Sequence, residues 1–309
     1  MILCVSANAA IDKTVIISPF RLDQIHRPQS MLALAGGKGC NVARALKTLG
    51  ENALVTGWVG GFAGQFIERE LQNEAIETAF VHTDAESRTC LSILDPEAGT
   101  LTEIYERGEP VSSEKIDELI KRFGELIPGC SAVALSGSLP AGVPLDFYAQ
   151  LITVAHTANV PVYLDTSGEA LKRGLEAKPD VIKPNKREFT DFVGGSYFNR
   201  LEEYTAAARE VAARYETTVI LSLGSDGALA VTGSQVVHAR PPQVTITSAV
   251  GSGDSLLAGL IYASASSTDL AEHLRCGVAA GTANTLAFGA GLFTREDFER
   301  IYADVKVEF

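Results

Sequence analysis

The chain has 309 residues, of which 46% are hydrophobic and 21% charged, enough for one large domain with a sizeable core. Its net charge of −12 disfavours a nucleic-acid partner, because such proteins usually carry a basic face. Five scattered cysteines without a C-x-x-C pair argue against a disulfide framework or a zinc site and favour a reducing cytoplasm. No apolar run is long enough to span a membrane, and residues 1–10 are interpreted as a first strand and not as a signal peptide.

Short apolar runs alternate with helical patterns along the chain. The predicted strands are Ile2–Ser6, Ala53–Val59, Val133–Leu135, Val160–Leu164, Val181–Ile182 and Thr218–Leu223. The predicted helices are Asn41–Leu49, Gly64–Asn73, Pro144–His156, Gly168–Gly174, Ser255–Ser264, Leu270–Leu286 and Arg295–Val305. This alternation predicts an α/β fold over 1–309, a single domain in which a doubly wound, mainly parallel sheet is covered by helices on both faces.

Two stretches, at about 13–35 and 89–107, interrupt this rhythm with alternating apolar and polar residues and no helix between them. In the second, Leu91–Leu94 and Thr102–Tyr105 flank the turn Asp95–Thr100, which is the pattern of a hairpin. We predict that the two stretches form a small β-sheet lid standing off the main sheet. An antiparallel extension of the main sheet's edge is the alternative.

The segment Ala249–Ser255 places glycines directly before a predicted helix. Glycines there let backbone N–H groups approach a phosphate, and the helix N-terminus adds the positive end of its dipole. Asp254 would lie in the first turn, where its carboxylate could act as a general base beside an anion site, as phosphoryl transfer requires. An acidic residue in the first turn of an ordinary helix is the alternative.

A second glycine run, Gly36–Asn41, also precedes a helix and adds a lysine and an amide that could bind sugar hydroxyls. A tight strand–helix turn would explain the same pattern. The chain contains no G-x-x-x-x-G-K-[ST] loop and no G-x-G-x-x-G fingerprint after a strand with a downstream acidic residue. These absences argue against a Walker-type nucleotide site and against a dinucleotide fold.

The third motif is Lys183–Glu188, in which Asn185 and Glu188 share one face if a helix begins at Asn185. An amide and a carboxylate near a triphosphate could organise Mg²⁺ and its water shell. A capping box, with Asn185 as the N-cap and Glu188 at the third helical position, is the plainer interpretation.

Three single residues are also candidates. Asp12 follows the first strand, where open α/β sheets place groups that contact ligands, but a turn aspartate is the alternative. Arg27 and Arg88 could hold a phosphate through forked hydrogen bonds, or could be solvated surface residues. The five histidines show no metal-ligand spacing.

Together and in order, these residues resemble the ribokinase-like (PfkB-type) carbohydrate kinase family over nearly the whole chain. The matching motifs are Asn8-x-x-x-Asp12, Gly36-Gly37-Lys38-Gly39-x-Asn41-Val42-Ala43, Ser136–Pro140, Asp165–Leu171, Lys183–Glu188, Ser222-Leu223-Gly224-x-x-Gly227 and Val250–Gly259. One such motif is weakly specific, whereas seven in the right order are strongly specific.

The resemblance implies an ATP-dependent kinase with Mg²⁺, and it implies a role for each matching residue. The catalytic group would be Asp254, with the backbone N–H groups of Gly251, Ser252 and Gly253 as the anion site. The sugar phosphate would be bound by Asp12, Arg27, Gly37, Lys38, Asn41, Arg88 and Ser138. ATP would be bound by Lys183, Asn185, Ser222, Gly224, Gly227, Gly281 and Asn284. Glu188, with Asp165, would hold the metal through water, and the lid would form a homodimer.

The subgroup that the sequence resembles is that of the phosphohexose kinases, such as tagatose-6-phosphate kinase and 1-phosphofructokinase, with 6-phosphofructokinase as the alternative. Ser252 and the run Thr102–Ile104 resemble tagatose-6-phosphate kinase, whereas Ala9 and Arg107–Pro110 depart from the subgroup's pattern. A non-catalytic sugar or nucleotide sensor on the same fold would not need Asp254. A nicotinamide-dependent dehydrogenase would need the dinucleotide fingerprint that the chain lacks.

Overall fold

The computed structural model describes residues 1–194, 198 and 200–308. The strands are β1 (Ile2–Ser6), β2 (Ala10–Ile16), β3 (Ser30–Gly36), β4 (Ala53–Gly60), β5 (Glu77–Thr78), β6 (Val81–Thr83), β7 (Arg88–Asp95), β8 (Thr100–Tyr105), β9 (Ala132–Ser136), β10 (Val162–Asp165), β11 (Val181–Ile182), β12 (Thr218–Ser222), β13 (Ala228–Val231), β14 (Val236–Arg240) and β15 (Lys306–Glu308). The helices are α1 (Lys38–Thr48), α2 (Gly61–Asn73), α3 (Ser113–Leu126), α4 (Phe147–Thr157), α5 (Gly168–Leu175), α6 (Lys186–Val193), α7 (Leu201–Tyr215), α8 (Ser252–Ser264), α9 (Leu270–Asn284) and α10 (Arg295–Asp304).

The large sheet has, within the described residues, eleven strands in the order β15-β14-β13-β12-β11-β10-β9-β1-β4-β5, with β6 also paired to β4. The pairs from β12 to β5 are parallel, and those from β12 through β15 are antiparallel. The predicted, mainly parallel sheet is therefore confirmed, with an antiparallel extension at one edge.

Both faces of the large sheet are covered, because successive residues of a strand point to opposite sides. In β1, Ile2 and Cys4 belong to one apolar core, together with residues of α1, α2, α8, α9 and α10. Leu3 and Val5 belong to the other core, together with residues of α3, α4, α5, α6 and α7. The doubly wound arrangement predicted from the alternating pattern is confirmed.

The small sheet, defined here as strands β3-β2-β7-β8, is separate from the large one. It has its own apolar cluster of Val15, Ile17 and Ile93. The interpretation of these stretches as an edge extension of the main sheet is therefore wrong.

The carboxyl edge of the large sheet is where the functional residues gather. Ser6, Ser136 and Asp165 lie side by side in register at the ends of β1, β9 and β10. Helix α1 packs against α8, so two helix N-termini approach this edge. Among the described helices, none combines the length and the apolar character needed to cross a bilayer.

Candidate active site

An open cavity of about 1160 Å³ lies between the small sheet and the carboxyl edge of the large sheet. This volume is above the roughly 300–1,000 Å³ common for one small-molecule site, so two ligands have room. The predicted site residues that line it are Asp12, Gly37, Lys38, Asn41, Arg88, Ser138, Lys183, Asn185, Glu188, Ser222, Gly224, Gly227, Gly251, Ser252, Gly253, Asp254 and Gly281. Arg27, Asp165 and Asn284 are not among the lining residues.

Asp254 lies in the first turn of α8, as predicted, and is 7% exposed. Its Oδ2 accepts a hydrogen bond of 2.9 Å from Nδ2 of Asn41. Burial raises the pKa of the Asp254 carboxyl to about 6, against the opposing effect of Lys38. A carboxylate with this pKa is largely ionised at neutral pH and is suited to accept a proton.

The glycines before and inside the first turn of α8 shape an anion site. Gly251 has a φ of 79°, and a Cβ there would lie 2.6 Å from Cα of Ala290. Ser252 donates its N–H to the carbonyl of Ala249 at 3.2 Å. In the described part of the chain, the N–H groups of Gly253 and Asp254 have no backbone acceptor. The first N–H groups of a helix lack intrahelical partners, so these two are available to an anion.

Asn284 supports this turn from behind and does not face the cavity. It is fully buried, and its Nδ2 donates to the carbonyl of Val250 at 2.8 Å. Its Oδ1 accepts from the N–H of Gly291 at 2.7 Å and from Oγ of Ser255 at 3.1 Å. These three hydrogen bonds assign Asn284 to holding the loop, and its contact with ATP stays a prediction.

A buried carboxylate between two lysines forms the floor of the cavity. Asp165 is fully buried, with Nζ of Lys38 2.9 Å from Oδ1 and Nζ of Lys183 3.2 Å from Oδ2. Burial alone would raise the pKa of Asp165, but Lys183 and Lys38 outweigh it and hold the pKa below its usual value. Asp165 therefore fixes two cations beside Asp254, and a predicted metal role for it would compete with these ion pairs.

Asn185 and Glu188 form the capping box at the start of α6 that was the plainer interpretation. Oδ1 of Asn185 accepts from the N–H of Glu188, and Oε2 of Glu188 accepts from the N–H of Asn185, both at 2.9 Å. Both side chains nevertheless line the cavity. Among the described residues, no three or more His, Cys, Asp or Glu side chains are grouped so that they could hold a metal ion.

The inner face of the small sheet supplies the other wall. Asp12 pairs with Cys90, and Cys90 with Tyr105, in adjacent strands. Paired residues in adjacent strands share a face, and so do residues two apart in one strand. Arg88, two before Cys90, and Glu103, two before Tyr105, therefore lie on the same face. All five line the cavity.

Asp12 is fitted closely to the start of α1. Its Oδ2 accepts from the N–H of Gly37 at 3.3 Å, and a Cβ on Gly36 would collide with the carboxyl group at 2.0 Å. Burial raises the pKa of Asp12, although the bond from Gly37 and the charge of Arg88 oppose the rise. The glycines of this run thus make room for a carboxylate that faces the cavity.

Arg88 is held in place by backbone carbonyls. Nε and Nη2 donate to the carbonyl of Asn8 at 3.2 and 3.1 Å, and Nη1 donates to that of Glu106 at 3.1 Å. Nδ2 of Asn8 in turn donates to Oγ of Ser138 at 3.2 Å. A fixed arginine, an amide and a hydroxyl are therefore grouped at one end of the cavity.

The predicted nucleotide residues lie at the other end, around β12. Asn185 and Ser222 are paired by an isolated parallel β-bridge between their backbones. Gly224 begins a short 3₁₀ turn that ends before Gly227. Gly227 has a φ of 86°, and a Cβ there would lie 2.0 Å from the carbonyl oxygen of Ala239. Gly281 lets α9 approach α8, because a Cβ at this position would lie 2.9 Å from the carbonyl oxygen of Ser252.

Arg27 is exposed in the connection between β2 and β3 and does not line the cavity. Its role in binding a phosphate stays a prediction.

Several lining residues were missed by the sequence reasoning. Glu103 and Tyr105 were placed in a hairpin, and Glu103 also in a run of family resemblance, but neither was named as a site residue. The alternation of side chains along β8, paired with β7, could have indicated that they face the cavity with Arg88 and Cys90. The segment 241–246, after β14, lines the nucleotide end and carries no motif that could have indicated it.

A carboxylate that can accept a proton, unpaired N–H groups and two fixed lysines are suited to moving a phosphoryl group onto an alcohol. The class of protein that the fold and the site define is a kinase of small molecules. The model of the pfkB family carbohydrate kinases matches residues 5–296, and the chain belongs to this family. It is an ATP-dependent sugar kinase, a phosphotransferase with an alcohol group as acceptor.

Solved structures with the same fold agree. The structure of Escherichia coli phosphofructokinase-2 in complex with substrates and products is 30% identical in sequence, with a TM-score of 0.92. Its structure in complex with fructose-6-phosphate is 29% identical, with a TM-score of 0.90. Both comparisons cover 98% of each chain. A Thermotoga maritima protein, described as a possible 1-phosphofructokinase, is 26% identical with a TM-score of 0.90, covering 100% of this chain and 99% of that one.

Proposed function

We propose that the protein transfers the terminal phosphoryl group of ATP to a hydroxyl of a ketohexose phosphate and so makes a hexose bisphosphate. The observation that carries this proposal is the fixed guanidinium of Arg88. It lies on the small sheet and lines the same cavity as Asp254. A second cationic group at the sugar end is what an already phosphorylated substrate would require.

The roles of the protein's residues follow from their positions. Asp254 accepts the proton of the attacking hydroxyl, and the N–H groups of Gly253 and Asp254 stabilise charge on the transferred phosphoryl group. Lys38 and Lys183, held by Asp165, offset the negative charge of the phosphates. Asp12 accepts hydrogen bonds from sugar hydroxyls.

ATP is proposed to bind around β12, with contacts from Asn185, Ser222, Gly224 and Gly227. Glu188 fits a role beside Mg²⁺, because Oε2 is used in the capping box whereas Oε1 has no hydrogen bond among the described residues. Mg²⁺ would neutralise phosphate charge when bound. Glu188 would hold it through water, since the described residues offer no ready cluster of ligands.

The acceptor is tested by measuring ADP release with fructose 1-phosphate, tagatose 6-phosphate, fructose 6-phosphate and the unphosphorylated hexoses. We expect turnover with one or more of the phosphates and weak turnover with every free sugar. Mass spectrometry of the product should show a hexose bisphosphate. Efficient turnover of free hexoses only would refute the proposal.

Fructose 6-phosphate is a specific second candidate beside the tagatose 6-phosphate and fructose 1-phosphate that the sequence suggested. The observation favouring it is the 29% identity over nearly the whole chain to Escherichia coli phosphofructokinase-2, which was solved with that sugar. The same panel of acceptors separates the three.

We also propose a homodimer formed through the small sheet. Its face away from the cavity exposes Met31 and Ile104, and the connection between β2 and β3 exposes Leu22 and Ile25. Apolar side chains grouped in this way on a surface favour a protein partner. Sedimentation of the wild type and of Ile104→Lys tests this, because only the wild type should be dimeric. The free cysteines support a proposed cytoplasmic location.

A further inference from the structure

We propose that Arg44 is a positioning residue for phosphoryl transfer, whose guanidinium fixes the amide of Asn41 and, through it, the carboxylate of Asp254. This proposal rests on the proposed role of Asp254 as the base.

Arg44 lies in α1 and is 4% exposed. Nε and Nη2 donate to the carboxylate of Glu74 at 2.7 and 3.0 Å, which pairs the buried charge. Nη2 also donates to the carbonyl of Ala35 at 2.7 Å, and Nη1 donates to the carbonyl of Ala290 at 3.0 Å and to Oδ1 of Asn41 at 3.1 Å. A guanidinium has five N–H donors, so these five bonds use all of them.

The bond from Arg44 decides which way the Asn41 amide points. A guanidinium can only donate, so the atom of Asn41 that faces Arg44 must be the carbonyl oxygen. The NH₂ group then faces Oδ2 of Asp254 at 2.9 Å. Without Arg44 only the ionised carboxylate holds the amide in this orientation, and a protonated Asp254 could instead donate to a turned amide oxygen, so the ionised form loses its advantage. Arg44 therefore sets the side of the amide that meets the base.

The same guanidinium reaches the anion site by a second route. Arg44 binds the carbonyl of Ala290, and Ala290 packs against Gly251. The approach is so close that a Cβ on Gly251 would lie 2.6 Å from Cα of Ala290. Gly251 is the N-cap of α8, two residues before the first available N–H group of the turn. Arg44 thus connects the base and the anion site to one rigid point in α1.

Other charged groups face Asp254 and would remain if Arg44 were changed. They are Lys38 of α1, Asp165 at the end of β10 and Lys183 after β11. Asp12 lies close to both Asn41 and Arg44. In Arg44→Lys these groups and the positive charge at position 44 all stay, so a change in the ionisation of Asp254 in that variant reports the loss of the oriented amide.

The test measures ADP release against pH for Arg44→Ala and Arg44→Lys. Lysine keeps the charge but cannot reach all the acceptors. We expect kcat to fall by about 10–100-fold, the loss that a small misplacement of a reacting group causes. Both KM values should change little, and the acid limb of kcat/KM should move to higher pH. Guanidinium ion added to Arg44→Ala should restore part of the turnover.

A double-mutant cycle separates positioning from general damage. If Arg44 acts through Asn41, adding Arg44→Ala to Asn41→Ala should cost little further kcat. The matched control is Arg275→Ala, which removes a partly buried arginine that donates to the carbonyl of Tyr302 at 3.0 Å, away from the cavity. It should lower stability without moving the acid limb.

A measurement without substrate keeps the inference separate from the proposed reaction. Carbon-13 NMR of labelled aspartate in the full chain should show the Asp254 pKa higher in Arg44→Lys than in the wild type. An unchanged Asp254 pKa, or normal kcat in folded Arg44→Lys, would overturn the role of Arg44 alone. A wild type that turns over no sugar phosphate would instead refute the proposed function, and the NMR comparison would still decide the role of Arg44.

Discussion

Replacing Asp254 with Asn removes the proton acceptor and keeps the size of the side chain. With a pKa of about 6, roughly nine-tenths of the carboxyl groups are ionised at pH 7 and able to act as base. We expect kcat to fall by about 10²–10⁴, the usual contribution of a positioned general base. The KM values for ATP and sugar phosphate should stay within a few-fold, because the carboxylate acts mainly in the transition state.

The same substitution has an opposite effect on stability. The folded state raises the pKa of Asp254 from 3.8 to about 6, so it binds the proton more tightly than the unfolded chain does. Ionisation therefore destabilises the fold as pH rises from about 4 through 6, at a cost of at most about 3 kcal/mol. The pKa of about 6 already includes the attraction to Lys38, so this cost is the net one that Asp254→Asn escapes. The variant should be at least as stable as the wild type at pH 7.

The assay combines ADP release over pH 5–9 with urea unfolding and calorimetric binding of ATP. The phosphate of the substrate also titrates near pH 6, so the comparison of variants is more informative than the wild-type profile alone. Asp180→Asn, a partly exposed carboxylate outside the cavity, is the control and should keep normal turnover. Near-normal kcat in Asp254→Asn would refute the catalytic role, and loss of folding would show that the residue is structural.

Three further perturbations test the other parts of the site. Arg88→Ala should raise the KM for sugar phosphate by roughly 10-fold or more, since a charge-assisted hydrogen bond is worth about 1.5–3 kcal/mol. The KM for ATP should stay nearly unchanged, and an unaltered KM for sugar phosphate would show that Arg88 does not bind it. Hydrogen exchange within 13–35 and 89–107 should slow when sugar phosphate is added, and equal protection with and without it would count against a closing lid. Asp165→Asn leaves Lys38 and Lys183 unneutralised and should destabilise the protein by about 3–5 kcal/mol in urea unfolding, whereas wild-type stability would show that the ion pairs contribute nothing.

Much of the fold was predictable because the local patterns were strong. The strand Ile2–Ser6 was predicted with its observed bounds. Helix α1 begins at Lys38 and not at Asn41 as predicted. The reason is close packing: a Cβ on Gly39 would lie 2.7 Å from the backbone of Val5 and Ser6, so a glycine that suggested a loop belongs to the helix.

Other elements were missed although their local signals were present. Helix α3 carries Ile116, Leu119 and Phe123 on one buried face after the N-cap Ser112, which is a helical pattern. Strand β15 had no comparable signal, because its pairing with β14 joins residues far apart in the chain. Long-range pairing of a three-residue segment cannot be read from its own composition.

The site was predicted from motifs, whereas its supporting contacts were not. Asp254, Lys38 and Arg88 were named and line one cavity. The bond from Asn41 to Asp254 joins residues 213 positions apart, and no local spacing indicates it. The bonds from Asn284 to Val250, Ser255 and Gly291 likewise join distant or irregular segments, and no local spacing indicated them.

The cavity holds more negative than positive side chains, which shapes how anionic ligands reach it. The described lining residues include three cationic groups, Lys38, Arg88 and Lys183, and five carboxylates, Asp12, Glu103, Glu188, Asp226 and Asp254. A nucleotide and a sugar phosphate therefore approach a protein of charge −12 without long-range electrostatic steering. At physiological ionic strength charges are screened beyond about 8 Å, so capture depends on encounters that bring a phosphate within reach of the fixed cations.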